Sequence, residues 1–133
     1  MTKAKEFSKR DLFGGHNGME VISAQPGLAK ARMEINSRHL NGLGTVHGGA
    51  LFTLADLAFA AASNCGEETV VSINSTMTFI KAETSGTLFA EAAEVVRSNR
   101  LVSYEAKVTN SSGDIVAVFQ GTGYIKRNDL SRG

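Results

Sequence analysis

The chain of 133 residues holds one cysteine, one proline and no tryptophan. A single thiol, Cys65, excludes an internal disulfide. There is no excess of either charge: 14 basic residues stand against 13 acidic ones, a net charge of +1. No basic run occurs, so nothing points to nucleic acid. No apolar run is long enough to span a membrane; the longest, around residues 50–62, is interrupted by Asp56. The N-terminus MTKAKEFSKRD is charged and lacks an apolar stretch, so no secretory signal is expected and the cytoplasm is the expected location. The three histidines, His16, His39 and His47, are scattered without metal-ligand spacing, so neither a metal nor a cofactor is expected.

What is present is ordinary for one domain spanning 1–133, with an N-terminal segment over 1–17 and a fraying tail over 128–133. A short helix is expected around Phe7 to Phe13, followed by a turn at Gly14-Gly15-His16-Asn17. Residues 18–24 and 28–35 read as two strands of a hairpin about Pro26-Gly27. Residues 36–46 form a loop with Asn41, Gly42 and Gly44. Residues 48 to about 64 form a helix. Beyond Gly66 the period falls to two. Val71, Ile73, Met77 and Phe79 are expected on one face, with Ser72, Asn74, Thr76 and Thr78 on the other. Strands over 88–96, 102–109 and 115–125 follow, the last with Gly121 and Gly123 where a bend or close packing fits. The order is strand, strand, long helix, then four strands read as a meander. The fold class is α+β: an antiparallel sheet wrapped around one central helix. A second sheet or subunit must cover what the helix leaves bare, so an oligomer is expected.

The chemistry concentrates in residues 39–64, HLNGLGTVHGGALFTLADLAFAAASN. The helix is apolar all round except for Asp56, and such a helix is normally buried. A lone carboxylate there requires an ion-pair partner, an outlet to solvent at the helix edge, or a task. His47-Gly48-Gly49 opens the helix. Glycine there permits tight packing; equally, the first free N–H groups and the positive helix end can hold a developing oxyanion. His47 reads as a positioning residue rather than a base, because Asp56 already offers an acid-base group. Asn41 can orient water or a carbonyl, and Ser72 and Ser75 can make polar contacts from a strand. Cys65 reads as a packing residue. His16 and His39 read as surface or loop residues, and Lys81, Arg97, Arg100, Lys126 and Arg127 as a solvated face. Asp56 lies two turns and a fraction beyond Gly48, roughly 12 Å along the axis. One acid cannot span that distance to act at its own helix start. A second helix, antiparallel across a two-fold axis, brings another subunit's Asp56 there.

The run N-G-x-G-x-x-H-G-G-A-L-F-x-L-A-D-x-A-F-A, from Asn41 to Ala60, resembles the PaaI-like branch of the hot-dog-fold thioesterases. That branch includes phenylacetyl-CoA thioesterase and is similar to one type of 4-hydroxybenzoyl-CoA thioesterase. The likeness extends through the preceding strand pair, the T-M-T-F-I strand and the closing hairpin, from about residue 10 to 127. It implies a sheet wrapped around one helix, a homodimer or homotetramer, and active sites between subunits. It implies that Asp56 is the catalytic carboxylate, as nucleophile or as general base toward water. Gly48 would supply its N–H to the thioester carbonyl, and Asn41 and His47 would hold the carbonyl or water. Ser72 would contact acid or water, and Gly49 would join the substrate site.

The activity so implied is hydrolysis of an acyl-CoA, aryl or medium-chain, to free acid and CoA. The acyl pocket would draw on Phe52, Phe59, Met77, Phe79 and the N-terminal segment. CoA-phosphate contacts do not transfer from the resemblance. A non-catalytic acyl-CoA sensor is the rival of another class. A hot-dog dehydratase is disfavoured, because here the acid follows HGG rather than pairing with a catalytic histidine.

Overall fold

The helix that organises the molecule begins at a histidine and ends at an asparagine. His47, in extended conformation, caps α3 (Gly48–Asn64): its Nδ1 accepts the Gly49 N–H at 2.7 Å. At the far end the Asn64 carboxamide accepts the Val70 N–H at 2.8 Å and donates to the Val70 carbonyl at 3.1 Å. That pair pins the start of the next strand to the last turn of α3. The computed structural model describes residues 2–127; the tail 128–133, with its expected fraying, lies outside them.

Around α3 lie β1 (Met19–Gln25), β2 (Leu28–Glu34), β3 (Thr69–Phe79), β4 (Thr87–Arg97), β5 (Leu101–Thr109) and β6 (Ile115–Lys126). They form one antiparallel sheet in the order β1-β2-β4-β5-β6-β3. The expected four-strand meander is therefore corrected: only β4, β5 and β6 follow one another, and β3 lies at the far edge beside β6. α3 carries the chain across the sheet from β2 to that edge. β4 then returns to fill the place beside β2.

Alanines make this closeness possible. Ala29 pairs with Ala92, Ala31 with Ala90, and Ala92 with Ala106, all buried against a helix that presents Ala55, Ala58, Ala61 and Ala62. Larger side chains, among them Met33, Leu54, Leu88 and Tyr104, fill the remaining space. The aromatic cluster sits under β6: Phe59 lies 5.1 Å from Tyr104 and 6.0 Å from Phe119 between ring centres.

The register of β3 shifts between Ser72 and Asn74, leaving Ile73 as the extra residue. Antiparallel partners share a face, so pairing with the inward side of β6 puts Val70, Ser72, Ser75, Met77 and Phe79 toward α3. The expected faces are thus corrected. Val71 and Ile73 do not share a face with Met77 and Phe79, because one inserted residue reverses the alternation.

The N-terminal segment is also more helical than its glycines suggest. Helices α1 (Lys3–Arg10) and α2 (Leu12–His16) replace the single expected helix, and α2 covers most of the expected turn. Asp11 divides them: its N–H bonds the Phe7 carbonyl, ending α1, while its Oδ1 accepts the Gly14 N–H at 2.9 Å, starting α2. Gly14 lets α2 lie on α3, since a Cβ there would come within 3.3 Å of Leu57 Cδ2.

Candidate active site

The segment leading into α3 is a small structure closed by its own hydrogen bonds. Asn41 Oδ1 accepts the N–H groups of Leu43 at 2.9 Å and Thr45 at 3.2 Å, while its Nδ2 donates to Thr45 Oγ1 at 3.0 Å. Asn41 thus shapes its own turn, and one Nδ2 hydrogen is left over for a ligand. The His47 N–H donates to the His39 carbonyl at 2.7 Å.

The first turn of α3 then distributes its donors unequally. The Gly49 N–H goes to His47 Nδ1, so Gly49 has none to offer a substrate. Ala50 and Leu51 donate to the His47 carbonyl at 2.9 and 3.2 Å. The Gly48 N–H has no acceptor among the described residues. It is a donor fixed in direction at the positive end of a 17-residue helix. Phe79 crowds it: a Cβ on Gly48 would stand 3.0 Å from the Phe79 Cζ, so only glycine allows the ring to lie there unmoved.

Two grooves flank this helix start. One of about 310 Å³ is bordered by Asn41, Gly48, Leu51, Phe79, Ile80 and Lys81. Lys81 is engaged there by Asp114 at 2.8 Å, which also holds the Asp114 carboxyl below its usual range. The other groove, of about 430 Å³, is bordered by Phe13, His39, Leu40, His47, Ala50 and Phe52. Phe52 meets Phe119 edge-on at 5.6 Å.

Asp56 borders neither groove. It is half-buried in mid-α3 and has no hydrogen-bond or ion-pair partner among the described residues. Burial pushes its carboxyl above the usual aspartate range, and the negative charge of Asp11 pushes it further. The eight-residue separation from Gly48 corresponds to roughly 12 Å along the helix, so one chain does not bring the two groups together.

The strand residues divide. Ser72 and Ser75 face inward with their Oγ atoms 3.1 Å apart. Phe79 is 55% exposed at the mouth of the smaller groove, whereas Phe59 is 2% exposed. Phe59 packs in the core against Tyr104 and Phe119 and borders neither groove. Met77 packs partly buried against the core. His39 lies in the connection between β2 and α3, as the loop reading has it, but it is buried rather than at the surface, 2% exposed.

Thr45, Ile80, Lys81 and Phe13 border the site without having been singled out for it by sequence. Only Thr45 carried a signal, since Asn41 followed by two glycines invites a carboxamide-closed turn. No group of three His, Cys, Asp or Glu suited to a metal occurs among the described residues. No described helix is long and apolar enough to cross a membrane.

Residues 43–117 match the family model described as Thioesterase superfamily. The chain belongs to the thioesterase superfamily. Within that superfamily it is PaaI-like. The acyl-coenzyme A thioesterase PaaI of Escherichia coli is 32% identical over 105 residues, covering 78% of this chain and 75% of that protein. Human acyl-coenzyme A thioesterase 13 is 28% identical over 121 residues, 88% of this chain and 83% of its own length. The structure of E. coli PaaI superimposes with a TM-score of 0.88 at 30% identity, covering 94% of this chain and 91% of that one. A mutant of PaaI from Thermus thermophilus, described as a phenylacetic acid degradation protein, gives 0.81 at 36% identity over 86% of this chain and 98% of the other. The sheet around one helix is the hot-dog fold of these thioesterases, and the protein is a thioesterase.

Proposed function

We propose that the protein hydrolyses acyl-CoA thioesters, with Gly48 of one subunit and Asp56 of another acting on the same carbonyl. The observation that carries this reading is the distribution of donors at the start of α3. His47 takes the N–H groups of Gly49, Ala50 and Leu51 and leaves that of Gly48 alone. A thioester oxygen placed on this N–H gains negative charge as the carbonyl is attacked, and the helix end stabilises it. Asn41 and His47 hold the donor's surroundings in place.

In the water route, the water oxygen bonds to the carbonyl carbon while its proton passes to Asp56. The carbonyl π pair moves onto the oxygen held by Gly48. When that pair returns, the carbon–sulfur bond breaks and CoA leaves as a thiolate, which needs no strong acid. In the direct route the Asp56 oxygen forms the bond itself and gives an anhydride that water opens. Both routes use the same two groups. The aromatic groove of Phe13, Leu40, Ala50 and Phe52, with Phe79 across the helix start, suits an aryl or medium-chain acyl group. Gly49 and Ser72 complete the substrate surroundings in this reading, Gly49 by letting the His47 ring lie close, since a Cβ there would stand 3.0 Å from His47 Nδ1.

The decisive measurement is CoA release from a panel of acyl-CoA substrates. Asp56→Asn should lose orders of magnitude in kcat with its assembly unchanged; near wild-type turnover in that variant sinks the assignment. Tight acyl-CoA binding without thiol release would instead mark a sensor. A second pair of variants isolates the oxyanion donor. Gly48→Pro removes the N–H yet suits the first helical position, and His47 already has the ψ of 138° that a residue before proline favours. Gly48→Ala keeps the N–H and imposes a comparable crowding on Phe79. The proline variant should fall about 10²–10³-fold below the alanine variant in kcat. Equal rates in the two would remove Gly48 from the chemistry.

A further inference from the structure

His39 is a buried titratable side chain that the proposed chemistry does not use. It ends a 3-10 turn, Ser37–His39, two residues before Asn41. Its Nδ1 accepts the Asn36 N–H at 3.0 Å. A backbone N–H can only donate, so Nδ1 carries no proton and the ring hydrogen sits on Nε2. From there it donates to the Asn17 carbonyl at 2.6 Å, at the end of α2. The carbonyl of His39 in turn accepts the His47 N–H at 2.7 Å. His47 Nδ1 takes the Gly49 N–H, and Gly48 is left pointing outward.

We propose that His39 is a positioning residue for the thioesterase site, tying the end of α2 to the start of α3 so that the Gly48 N–H is held at one angle. The proposal rests on the reading of Gly48 given above. Its physical content is a continuous series of bonds: the Asn17 carbonyl, the His39 ring, the His39 carbonyl, the His47 N–H, the His47 ring and the Gly49 N–H. Each joint has one donor and one acceptor, and two of them are planar rings. The segment between them is closed by Asn41, so a change at His39 is passed on to His47 rather than absorbed. Imidazole suits the place because it accepts on one side and donates on the other across a rigid ring. Asparagine can imitate Nδ1 but stops short of Asn17. Glutamine can bring an N–H close to the position of Nε2. Phenylalanine fills the space and bonds to neither.

Three variants, His39→Gln, His39→Asn and His39→Phe, test the assignment, each assayed at the same interval below its own Tm. A buried hydroxyl remote from the site supplies the control: Ser63→Ala loses the bond from Ser63 Oγ to the Phe59 carbonyl at 2.8 Å. The asparagine and phenylalanine variants should lose about 10- to 100-fold in kcat with KM changed less than about threefold, as expected when a transition-state donor is misplaced. Glutamine should recover most of the loss, and Ser63→Ala should keep its kcat. A second readout needs no substrate. In NMR spectra of the wild-type protein, His39 should show a slowly exchanging proton on Nε2. In His39→Asn the amide signals of His47, Gly48 and Gly49 should shift together.

If no thioester is turned over while these NMR signatures appear, the proposed function fails and the positioning role stands. A ring proton on Nδ1, or unmoved signals at residues 47–49, overturns the positioning role even if the asparagine and phenylalanine variants do not fold. So does a kcat within twofold of wild type in both of those variants.

Discussion

Asp56 is held in α3 against the preference of its own charge. Burial first, and the charge of Asp11 second, raise its carboxyl pKa in the folded state. A group raised in this way stabilises the fold in its protonated form. That contribution is complete below the unfolded pKa and is lost as pH rises through the folded one. Above that folded pKa the ionised Asp56 weakens the fold, and there Asp56→Asn should melt higher than the wild type. Calorimetry near pH 8 and again near pH 4 should show the gain shrinking as acid protonates the wild-type carboxyl. The same variant should be the inactive one, which separates its catalytic loss from damage to the fold. Asp11→Asn offers a finer test. Asparagine caps a helix about as well as aspartate, so the Gly14 N–H keeps its acceptor while the negative charge goes. The acid limb of the pH profile of kcat/KM should then move to lower pH. A stationary limb would mean that Asp11 does not act on the group that titrates. Sequence alone isolated Asp56, because one charge in an apolar helix is conspicuous. It could not isolate His39. A histidine in a polar loop looks the same whether it faces water or bridges two backbone groups; that distinction depends on where Asn17 lies in space.

The long helix was legible almost to its ends, since His47-Gly48-Gly49 and Asn64 bracket a run of good helix formers. Its rotation was not. A helix that is apolar all round has no face to read, so Phe52 and Phe59 look equivalent, although one borders a groove and the other is sealed in the core. For β3 the alternation was visible and misleading, because the extra residue Ile73 reverses it halfway along. Of the bend or close packing expected at the two glycines of β6, the structure shows close packing, and it is specific. A Cβ on Gly123 would overlap Val70 Cγ1, and one on Gly121 would come within 2.9 Å of Phe119 and 3.1 Å of Phe59. Gly121→Ala and Gly123→Ala should each destabilise the fold by about 1–3 kcal/mol through overpacking. Urea unfolding monitored by circular dichroism measures this; unchanged midpoints in both variants would show that β3 and β6 yield without strain.

The strands and their lengths could be read one by one, but not the order in which they lie. Local spacing favours neighbours in sequence, and it does not reveal that α3 carries the chain to the far edge, where β3 pairs with β6. The result is that β3 is an edge strand of 11 residues with Val71, Ile73 and Phe79 all exposed. Such an edge invites a second chain, which the proposed sharing of Gly48 and Asp56 between subunits requires. Subunit mixing tests this directly. Asp56→Asn and Gly48→Pro, each inactive alone, should regain about a quarter of the wild-type rate when co-assembled at random, because half the dimers then hold one intact site. No recovery in verified mixed dimers would place both groups in one chain. The position of β3 also has a consequence for biosynthesis. During synthesis β3 emerges before β4 and β5, and the one strand it pairs with comes after both. For that interval a strand carrying Val70, Val71, Ile73, Met77 and Phe79 has no partner in its own chain. The hydroxyl and amide side chains set between them, Ser72, Asn74, Ser75, Thr76 and Thr78, keep the nascent segment from being a continuous apolar stretch while it waits.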